Sequence, residues 1–234
     1  MARPGGRIRS RFPTRHPSGS TRPFRVHRLF RVHLLVLPVK RYDRAYFDRW
    51  YRGADAARSA GALRRNVALA VAVTESVLDR PLASVLDVGC GEGRWQPVLA
   101  EIRPDARYLG LDPSAWAVER FGPERNLRRG RFEGLPGEDL PEPFDLVVCA
   151  DVLHYLDEGA VRAGIDTLAD LVGGAALLEV FTAEDPEVGD REGFRVRPAR
   201  WYRRLFEDAG LVAVGLQMWV HEEMAEGLDA LDLP

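Results

Sequence analysis

The sequence predicts an α/β fold with a doubly wound, mostly parallel sheet of six or seven strands and helices on both faces. Three observations support this prediction. Short apolar runs, typical of buried parallel strands, alternate with segments of helical period. A glycine-rich turn joins the first apolar run to a helix. The chain has 234 residues, 46% of them hydrophobic, which is enough to bury the core of one domain.

The composition excludes several classes of protein. No apolar run approaches the roughly 20 residues that a membrane-spanning helix needs. The two cysteines, Cys90 and Cys149, are too few for a disulfide framework or a cysteine-built zinc site. No hydrophobic segment precedes a small-residue cleavage site, so export is not expected and the predicted location is cytoplasmic.

The charge is divided unevenly along the chain. Residues 1–41 hold eleven of the 33 Lys and Arg residues and no acid, whereas residues 42–234 hold 22 basic and 35 acidic residues. The first segment is rich in Arg, Pro, Gly and Ser, and we expect a disordered extension there. Three interpretations of this segment remain open: it is an arm that binds RNA or anionic lipid, a transit peptide, or an extension without function. The acidic remainder disfavours broad binding to nucleic acid.

We expect one domain over residues 42–234, divided into a helical cap (42–80), a sheet-containing core (81–220) and an acidic tail (221–234). Aromatic residues at helical spacing fill residues 42–51. A longer amphipathic helix follows over residues 63–78 and ends before Pro81.

A β-branched apolar run over residues 84–88 leads into the glycine-rich turn. Its glycines are Gly89, Gly91 and Gly93, and Asp87 lies two residues before the first. Such a turn lets a ligand approach the backbone and the N-terminus of the next helix. The spacing differs from the G-x-G-x-x-G of dinucleotide enzymes. A carboxylate at Asp87 suits a ligand with a cationic amine better than one with a pyrophosphate.

A second strand over residues 107–111 ends at Asp112. An acid at this position can accept hydrogen bonds from both hydroxyls of a ribose, in a nicotinamide and an adenosyl ligand alike. A nicotinamide dehydrogenase is nevertheless disfavoured by the glycine spacing and by the lack of a Tyr-x-x-x-Lys pair, since Lys40 is the only lysine.

The segments D-V-G-C-G-E-G (87–93) and L-G-L-D-P-S (109–114) together resemble the motifs of the class I S-adenosylmethionine-dependent methyltransferases, which have a Rossmann-like fold. The resemblance extends over about residues 42–220. It implies that Asp87 and Gly89 hold the methionine end of the cofactor and that Asp112 binds its ribose. The cofactor contacts expected in these two segments are Asp87, Gly89, Cys90, Gly91, Gly93, Asp112 and Pro113.

The next elements agree with this resemblance. Ser114 is expected to cap a helix. A third strand is expected near residues 127–132, followed by a loop over residues 133–140. In the family the start of this loop lies over the adenine. Glu133 and Leu135 are therefore candidate adenine contacts.

The fourth strand, residues 144–150, is similar to the family's fourth motif, whose end faces the cofactor sulfonium and the acceptor. Ala150 is therefore an expected cofactor contact. His154 is the candidate general base, and Asp151 a candidate contact for the cofactor or the acceptor. Alternatively, His154 only packs against the next helix. Asp151 could likewise only accept hydrogen bonds from the backbone N–H groups of a turn.

The last elements are predicted as follows. Asp157 caps a helix that ends at Gly173-Gly174, and a fifth strand covers residues 175–181. Another helix starts at Pro198 and precedes a sixth strand over residues 211–220. The family usually has a seventh, antiparallel strand. Either this strand is missing, or residues 211–220 bend and form both the sixth and the seventh strand. The sequence leaves the oligomeric state open.

The resemblance implies an S-adenosyl-L-methionine-dependent methyltransferase that moves a methyl group by in-line displacement to an oxygen or nitrogen atom of a small molecule. The chain lacks the Asn- or Asp-Pro-Pro-Tyr motif of nucleic-acid amine methylases, and no metal site is expected. An RNA or tRNA methyltransferase that uses the basic arm and a non-catalytic S-adenosylmethionine-binding protein are the alternatives.

Two segments are candidates for covering the site. The aromatic helix near the start could fold over the cofactor as a lid, with Tyr46 and Trp50 in contact, although core packing would give the same pattern. The long loop over residues 183–197 is where an acceptor pocket is expected, because loops of this length in compact domains are often functional.

Overall fold

The computed structural model describes residues 40–53, 56–140, 143–186 and 189–228. Within these residues, seven strands form one sheet in the order β3-β2-β1-β4-β5-β7-β6. The strands are β1 Ser84–Val88, β2 Arg107–Asp112, β3 Leu127–Arg129, β4 Phe144–Ala150, β5 Val172–Glu179, β6 Leu211–Gly215 and β7 Met218–His221. The predicted N-terminal extension lies outside the described residues except for residues 40 and 41.

Helices cover both faces of this sheet, as the sequence predicts. The helices are α1 Arg44–Tyr51, α2 Ala56–Leu78, α3 Trp95–Ile102, α4 Ala115–Arg125, α5 Glu158–Asp170, α6 Ala199–Asp208 and α7 Glu222–Ala225. Helices α2 and α3 bury Val67 and Leu99 in the core on one face, and α5 and α6 bury Ile165 and Phe206 in the core on the other. Two 3₁₀ helices, Phe132–Gly137 and Leu153–Tyr155, follow β3 and β4.

Two predicted helix starts are confirmed by their capping hydrogen bonds. Ser114 Oγ accepts the Ala117 N–H over 3.0 Å, and Asp157 Oδ1 accepts the Ala160 N–H over 2.8 Å. Each side chain thereby satisfies one of the N–H groups that a helix leaves without a partner in its first turn.

The question of the seventh strand is settled by a hairpin within residues 211–221. Strand β7 pairs antiparallel with both β5 and β6. The segment predicted as one strand therefore bends and forms two strands, β6 and β7. Leu216 and Gln217 form the turn with φ of 52° and 63°. Two successive positive φ values suit a two-residue hairpin turn, for which Asn-Gly is the usual signal. Leu-Gln lacks this signal.

Several predicted element boundaries are wrong. Helix α2 begins at Ala56 instead of residue 63. Gly173-Gly174 does not end a helix but lies inside β5, which covers Val172–Glu179 instead of residues 175–181. A Cβ on Gly174 would lie 2.6 Å from the carbonyl oxygen of Asp145, so this glycine permits the close approach of two strands. Strand β3 ends at Arg129, and part of the predicted loop after it is the 3₁₀ helix Phe132–Gly137.

The order of the strands defines where a ligand would bind. From β1 the chain proceeds through β2 and β3 to one side, and from β4 through β5 to the other. Open α/β sheets bind ligands at such a reversal, beyond the carboxyl ends of the strands. In this chain the reversal lies between β1 and β4, which pair in parallel.

Candidate functional site

A cavity of about 780 Å³ lies at the carboxyl ends of β1, β2 and β4. The turn after β1 contributes Gly89 and Gly91, β2 ends there at Asp112, and β4 ends there at Ala150. Helix α1 supplies a further wall with its aromatic side chains. The volume is within the range of small-molecule and cofactor sites.

The glycine turn leaves no room for side chains. Gly89 and Gly91 have φ of +75° and +57°, in the left-handed region. A Cβ on Gly89 would lie 2.3 Å from Val152 Cγ2, and one on Gly91 would lie 2.7 Å from Tyr51 Oη. The N–H groups of Gly89 and Cys90 donate to the carbonyl oxygen of Leu111 over 2.7 and 3.1 Å, which ties the turn to the end of β2.

The carboxylate of Asp112 is held rigidly at the cavity wall. Its Oδ2 accepts the Gly91 N–H over 2.7 Å, and its Oδ1 accepts the Ser114 N–H over 2.8 Å. Burial raises the pKa of Asp112, while these two hydrogen bonds and the charge of Arg129 act in the opposite direction. Each carboxylate oxygen retains a lone pair with which to accept a hydrogen bond from a ligand.

The residues predicted from the sequence divide into two groups. Those that line the cavity are Tyr46, Trp50, Gly89, Gly91, Asp112, Pro113, Glu133, Ala150 and Asp151. Those that do not line it are Asp87, Cys90, Gly93, Leu135 and His154. Leu135 is 1% exposed and belongs to the core, while a Cβ on Gly93 would lie 2.7 Å from Leu127. These residues lie behind the wall.

Asp151 and His154 form a pair directly after β4. His154 is fully buried, and its Nε2 lies 2.9 Å from Oδ1 of Asp151 without a well-aligned hydrogen bond. The Phe181 N–H donates to His154 Nδ1 over 3.3 Å, which orients the ring with Nε2 toward Asp151. The Asp151 side chain is 58% exposed and lines the cavity. Of the two candidate catalytic residues, Asp151 is therefore the one that can reach a ligand.

The backbone at Asp151 is unusual. Its φ of 61° lies in the left-handed region, which a non-glycine residue adopts at a cost in free energy. The Asp151 N–H donates to the carbonyl oxygen of Glu179 over 3.0 Å, which anchors this conformation to β5. Asp151 thus adopts this conformation where β4 meets the cavity.

Several residues of the cavity wall were missed by sequence reasoning, among them Lys40, Tyr51, Tyr155 and Asp190. The available signal for Lys40 was composition, because it is the only lysine among 33 basic residues. Asp190 belongs to the loop that the sequence marks as the expected acceptor pocket, but no local pattern distinguishes it from the other acids of that loop. Within the described residues, no three His, Cys, Asp or Glu side chains are grouped to hold a metal ion.

Sequence comparison identifies relatives of this chain. A family model described as a methyltransferase domain matches residues 55–216. Trans-aconitate 2-methyltransferase from Deinococcus radiodurans is 38% identical over 80 residues, which are 34% of this chain and 31% of that protein. Ubiquinone biosynthesis O-methyltransferase from Xylella fastidiosa is 32% identical over 105 residues, which are 43% of this chain and 42% of that protein. The chain thus matches less than half the length of these curated relatives.

Structure comparison agrees on the fold. Magnesium protoporphyrin IX methyltransferase from Synechocystis PCC 6803, solved with bound SAH, superposes with a TM-score of 0.55 at 21% sequence identity. The superposition covers 74% of this chain and 87% of that one. At this level of identity the match shows a shared fold.

Proposed function

This chain belongs to the methyltransferase-domain family, and on that basis we propose that it transfers a methyl group from S-adenosylmethionine to an oxygen or nitrogen atom of a small molecule. The observation that carries the proposal is the Asp112 carboxylate, fixed by two backbone N–H groups beside the glycine turn. The names of two relatives, a trans-aconitate and a ubiquinone-biosynthesis methyltransferase, support a small-molecule acceptor.

The cavity fits this cofactor. Gly89 and Gly91 form a cradle that a Cβ would fill, so a ligand can approach the backbone there. We assign the methionine end to this cradle, the ribose hydroxyls to Asp112 and the adenine amine to Glu133. When bound, S-adenosylmethionine supplies an electrophilic methyl group on a sulfonium. The residues behind the wall, such as Asp87 and Gly93, would act by shaping the turn.

Helix α1 is proposed as the lid of the cofactor half of the cavity. Three tethers hold it in place, one at each end and one in the middle. Ser114 Oγ donates to the carbonyl oxygen of Tyr42 over 2.6 Å, and Arg52 contacts Glu92 over 2.8 Å. Between them, the Phe47 ring stacks on Trp116 at 5.2 Å between centroids. Exchange of the cofactor would require these contacts to open, and Tyr46 and Trp50 would then move with the helix.

Proton removal is proposed for Asp151. A hydroxyl or ammonium acceptor must lose a proton for methyl transfer, and Asp151 is an exposed carboxylate at the end of β4. His154 is proposed as a positioning residue, because its buried ring contacts Asp151 and not the cavity. The pair would keep the carboxylate facing the acceptor.

The test is a calorimetric titration of S-adenosylmethionine, its demethylated product and NAD into the wild type, Asp112→Ala and the control Asp105→Ala. Asp105 is an exposed acid outside the cavity. We expect the adenosyl ligands to bind the wild type and the control equally, and Asp112→Ala about 100-fold more weakly, because two charge-assisted hydrogen bonds are lost. Thermal unfolding of each variant confirms that it is folded.

Two outcomes would overturn the proposal. If the wild type binds NAD and no adenosyl ligand, the site belongs to a dehydrogenase. If S-adenosylmethionine binds but a radiolabelled methyl group reaches none of a broad panel of hydroxylated and amine metabolites, the small-molecule acceptor is overturned, and transfer to RNA then separates an RNA methyltransferase from a non-catalytic binding protein.

A further inference from the structure

An aromatic cage surrounds the ammonium group of Lys40 at the cavity wall. Lys40 Nζ lies 3.7 Å from the ring centroid of Tyr155 and 5.3 Å from those of Tyr42 and Tyr46. Asp190 Oδ2 lies 2.5 Å from the same nitrogen. We call Tyr42, Tyr46, Tyr155 and Asp190 the cation cage; all four line the cavity.

The walls of the cation cage are held by one another as well as by the lysine. Tyr155 Oη donates to the carbonyl oxygen of Asp190 over 2.9 Å. The Tyr42 and Tyr46 rings make an edge-to-face contact at 5.0 Å between centroids. Asp190 Oδ1 accepts the Glu192 N–H over 3.0 Å. The cage can therefore keep its shape when another group takes the place of Lys40.

The cation cage combines a negative charge with an apolar surface. Lys40 Nζ and Asp190 Oδ2 form a buried ion pair 2.5 Å long, and Tyr46 also hydrogen-bonds to Asp190. Three aromatic faces and one carboxylate attract any ammonium group, including an alkylated one. A carboxylate with a side chain only 11% exposed is unfavourable without a counter-ion, so Asp190 favours occupation of the cage by a cation.

We propose, on the basis of the proposed methyltransferase function, that the cation cage is the subsite for an ammonium group of the methyl acceptor and that Lys40 occupies it until the acceptor binds. The acceptor class is then a small molecule with an aliphatic amine that is positively charged at neutral pH. Lys40 carries its charge on a flexible four-carbon stem and precedes α1, so its side chain can withdraw while α1 stays in place.

The first test uses n-butylammonium as the probe, titrated into protein saturated with the demethylated cofactor product. Lys40→Met should bind the probe at least 10-fold more tightly than the wild type, because a tethered competitor of high effective concentration has been removed. The matched control Arg44→Met removes an exposed charge on α1 and should behave as the wild type does. The double variant Lys40→Met/Asp190→Asn should lose the increased affinity for n-butylammonium that Lys40→Met alone shows.

A second measurement uses the wild type alone. Lys40 is the only lysine, so protein labelled with ¹³Cε-lysine gives a single signal, shifted by the ring currents of the cage. Saturating n-butylammonium should move this signal to the position of a solvated lysine, while neutral n-butanol should leave it in place.

Three results would overturn the proposal: Lys40→Met shows no gain in affinity for n-butylammonium, its affinity for n-butanol rises by the same factor, or the lysine signal of the wild type does not respond to n-butylammonium. Binding of the demethylated product to the wild type is measured in the same experiment. Loss of that binding would instead contradict the proposed methyltransferase function, so the two failures are distinguishable.

Discussion

Tyr108 donates its phenolic hydroxyl to Asp87 Oδ2 over 2.6 Å, and both side chains are buried directly below the glycine turn. Burial raises the pKa of Asp87 to about 7, even though the hydrogen bond from Tyr108 acts to lower it. The negative charge of Asp112 raises it further. The folded protein therefore holds a proton at Asp87 at pH values where the unfolded chain has released it.

We predict that this proton makes folding stability depend on pH. Between about pH 4 and pH 7 the folded state binds more protons at Asp87 than the unfolded state, so the free energy of unfolding falls as pH rises through this range. Asp87→Asn retains an acceptor for Tyr108 but cannot ionise. Relative to the wild type it should gain about 2–4 kcal/mol between pH 4 and pH 8, measured by urea unfolding. A difference that does not change with pH would contradict the prediction.

A second prediction concerns Asp145, which lies at the opposite end of the sheet from the cavity. Burial acts to raise the pKa of Asp145, but two hydrogen bonds from Arg80, at 2.9 and 2.6 Å, and one from the Ala83 N–H hold it below its ordinary value. A lowered pKa gives stability that is present above about pH 4 and lost as pH falls through the folded value. Asp145→Asn should cost about 1–2 kcal/mol at pH 7, after allowance for the half-exposed Arg80.

The Asp145→Asn cost should shrink as the pH falls through the pKa of the folded wild-type carboxyl, which lies below its ordinary value. Urea unfolding over a series of pH values from 7 into acid measures this. Affinity for the demethylated cofactor product, determined by calorimetry at pH 7, should equal that of the wild type, because Asp145 is at the other end of β4 from Ala150. Weaker ligand binding would mean that the two ends of the sheet are coupled.

A third prediction concerns the contact between Gly91 and α1, the proposed lid. A Cβ on Gly91 would lie 2.7 Å from Tyr51 Oη, so Gly91→Ala should displace α1 and weaken binding of the demethylated product about 10-fold. Adding Tyr51→Phe removes the clashing oxygen and should restore part of the affinity. The positive φ at Gly91 and the 3.2 Å approach of the added Cβ to Phe47 Cε1 should account for the remaining loss.

Gly137→Ala is the control for that experiment, because no atom lies within 4 Å of a Cβ at Gly137. It should bind the ligand as the wild type does. If Tyr51→Phe fails to restore any affinity to Gly91→Ala, the contact with α1 is not what limits binding.

A fourth prediction separates catalysis from binding at Asp151. Asp151→Asn should slow methyl transfer about 100-fold, because the amide cannot accept the acceptor's proton. Its affinity for S-adenosylmethionine should change by less than about 3-fold, since Asp112 and the glycine turn are intact. Single-turnover transfer of a radiolabelled methyl group to an identified acceptor gives the rate, and Asp166→Asn, an exposed acid on α5, is the control. Equal rates for Asp151→Asn and the wild type would contradict the role of Asp151 as the base.

Local patterns predicted most of the fold. The apolar runs that became β1 and β4, the caps at Ser114 and Asp157, and the glycine turn each depend on residues adjacent in the chain. Hydrogen bonds and steric limits within a few residues determine these features, so the sequence alone indicates them.

One error and one open question arose where neighbouring elements overrule local preference. Gly173-Gly174 is a common helix-ending pair, yet here it permits close approach to Asp145 within the sheet. The hairpin turn at Leu216-Gln217 has no glycine or asparagine at its two central positions. Pairing of β7 with β5 and β6 stabilises that turn, and this pairing cannot be read from the turn residues.

The sequence by itself was enough to predict the family and to mark the glycine turn and Asp112 as candidate site residues, because both belong to short contiguous motifs. Only the tertiary structure decided that Asp151 and not His154 lines the cavity, because burial depends on packing around both residues. It also decided that Lys40 meets Asp190, since cation–π and ion-pair contacts form between side chains far apart in the chain only once the sheet and its loops are assembled.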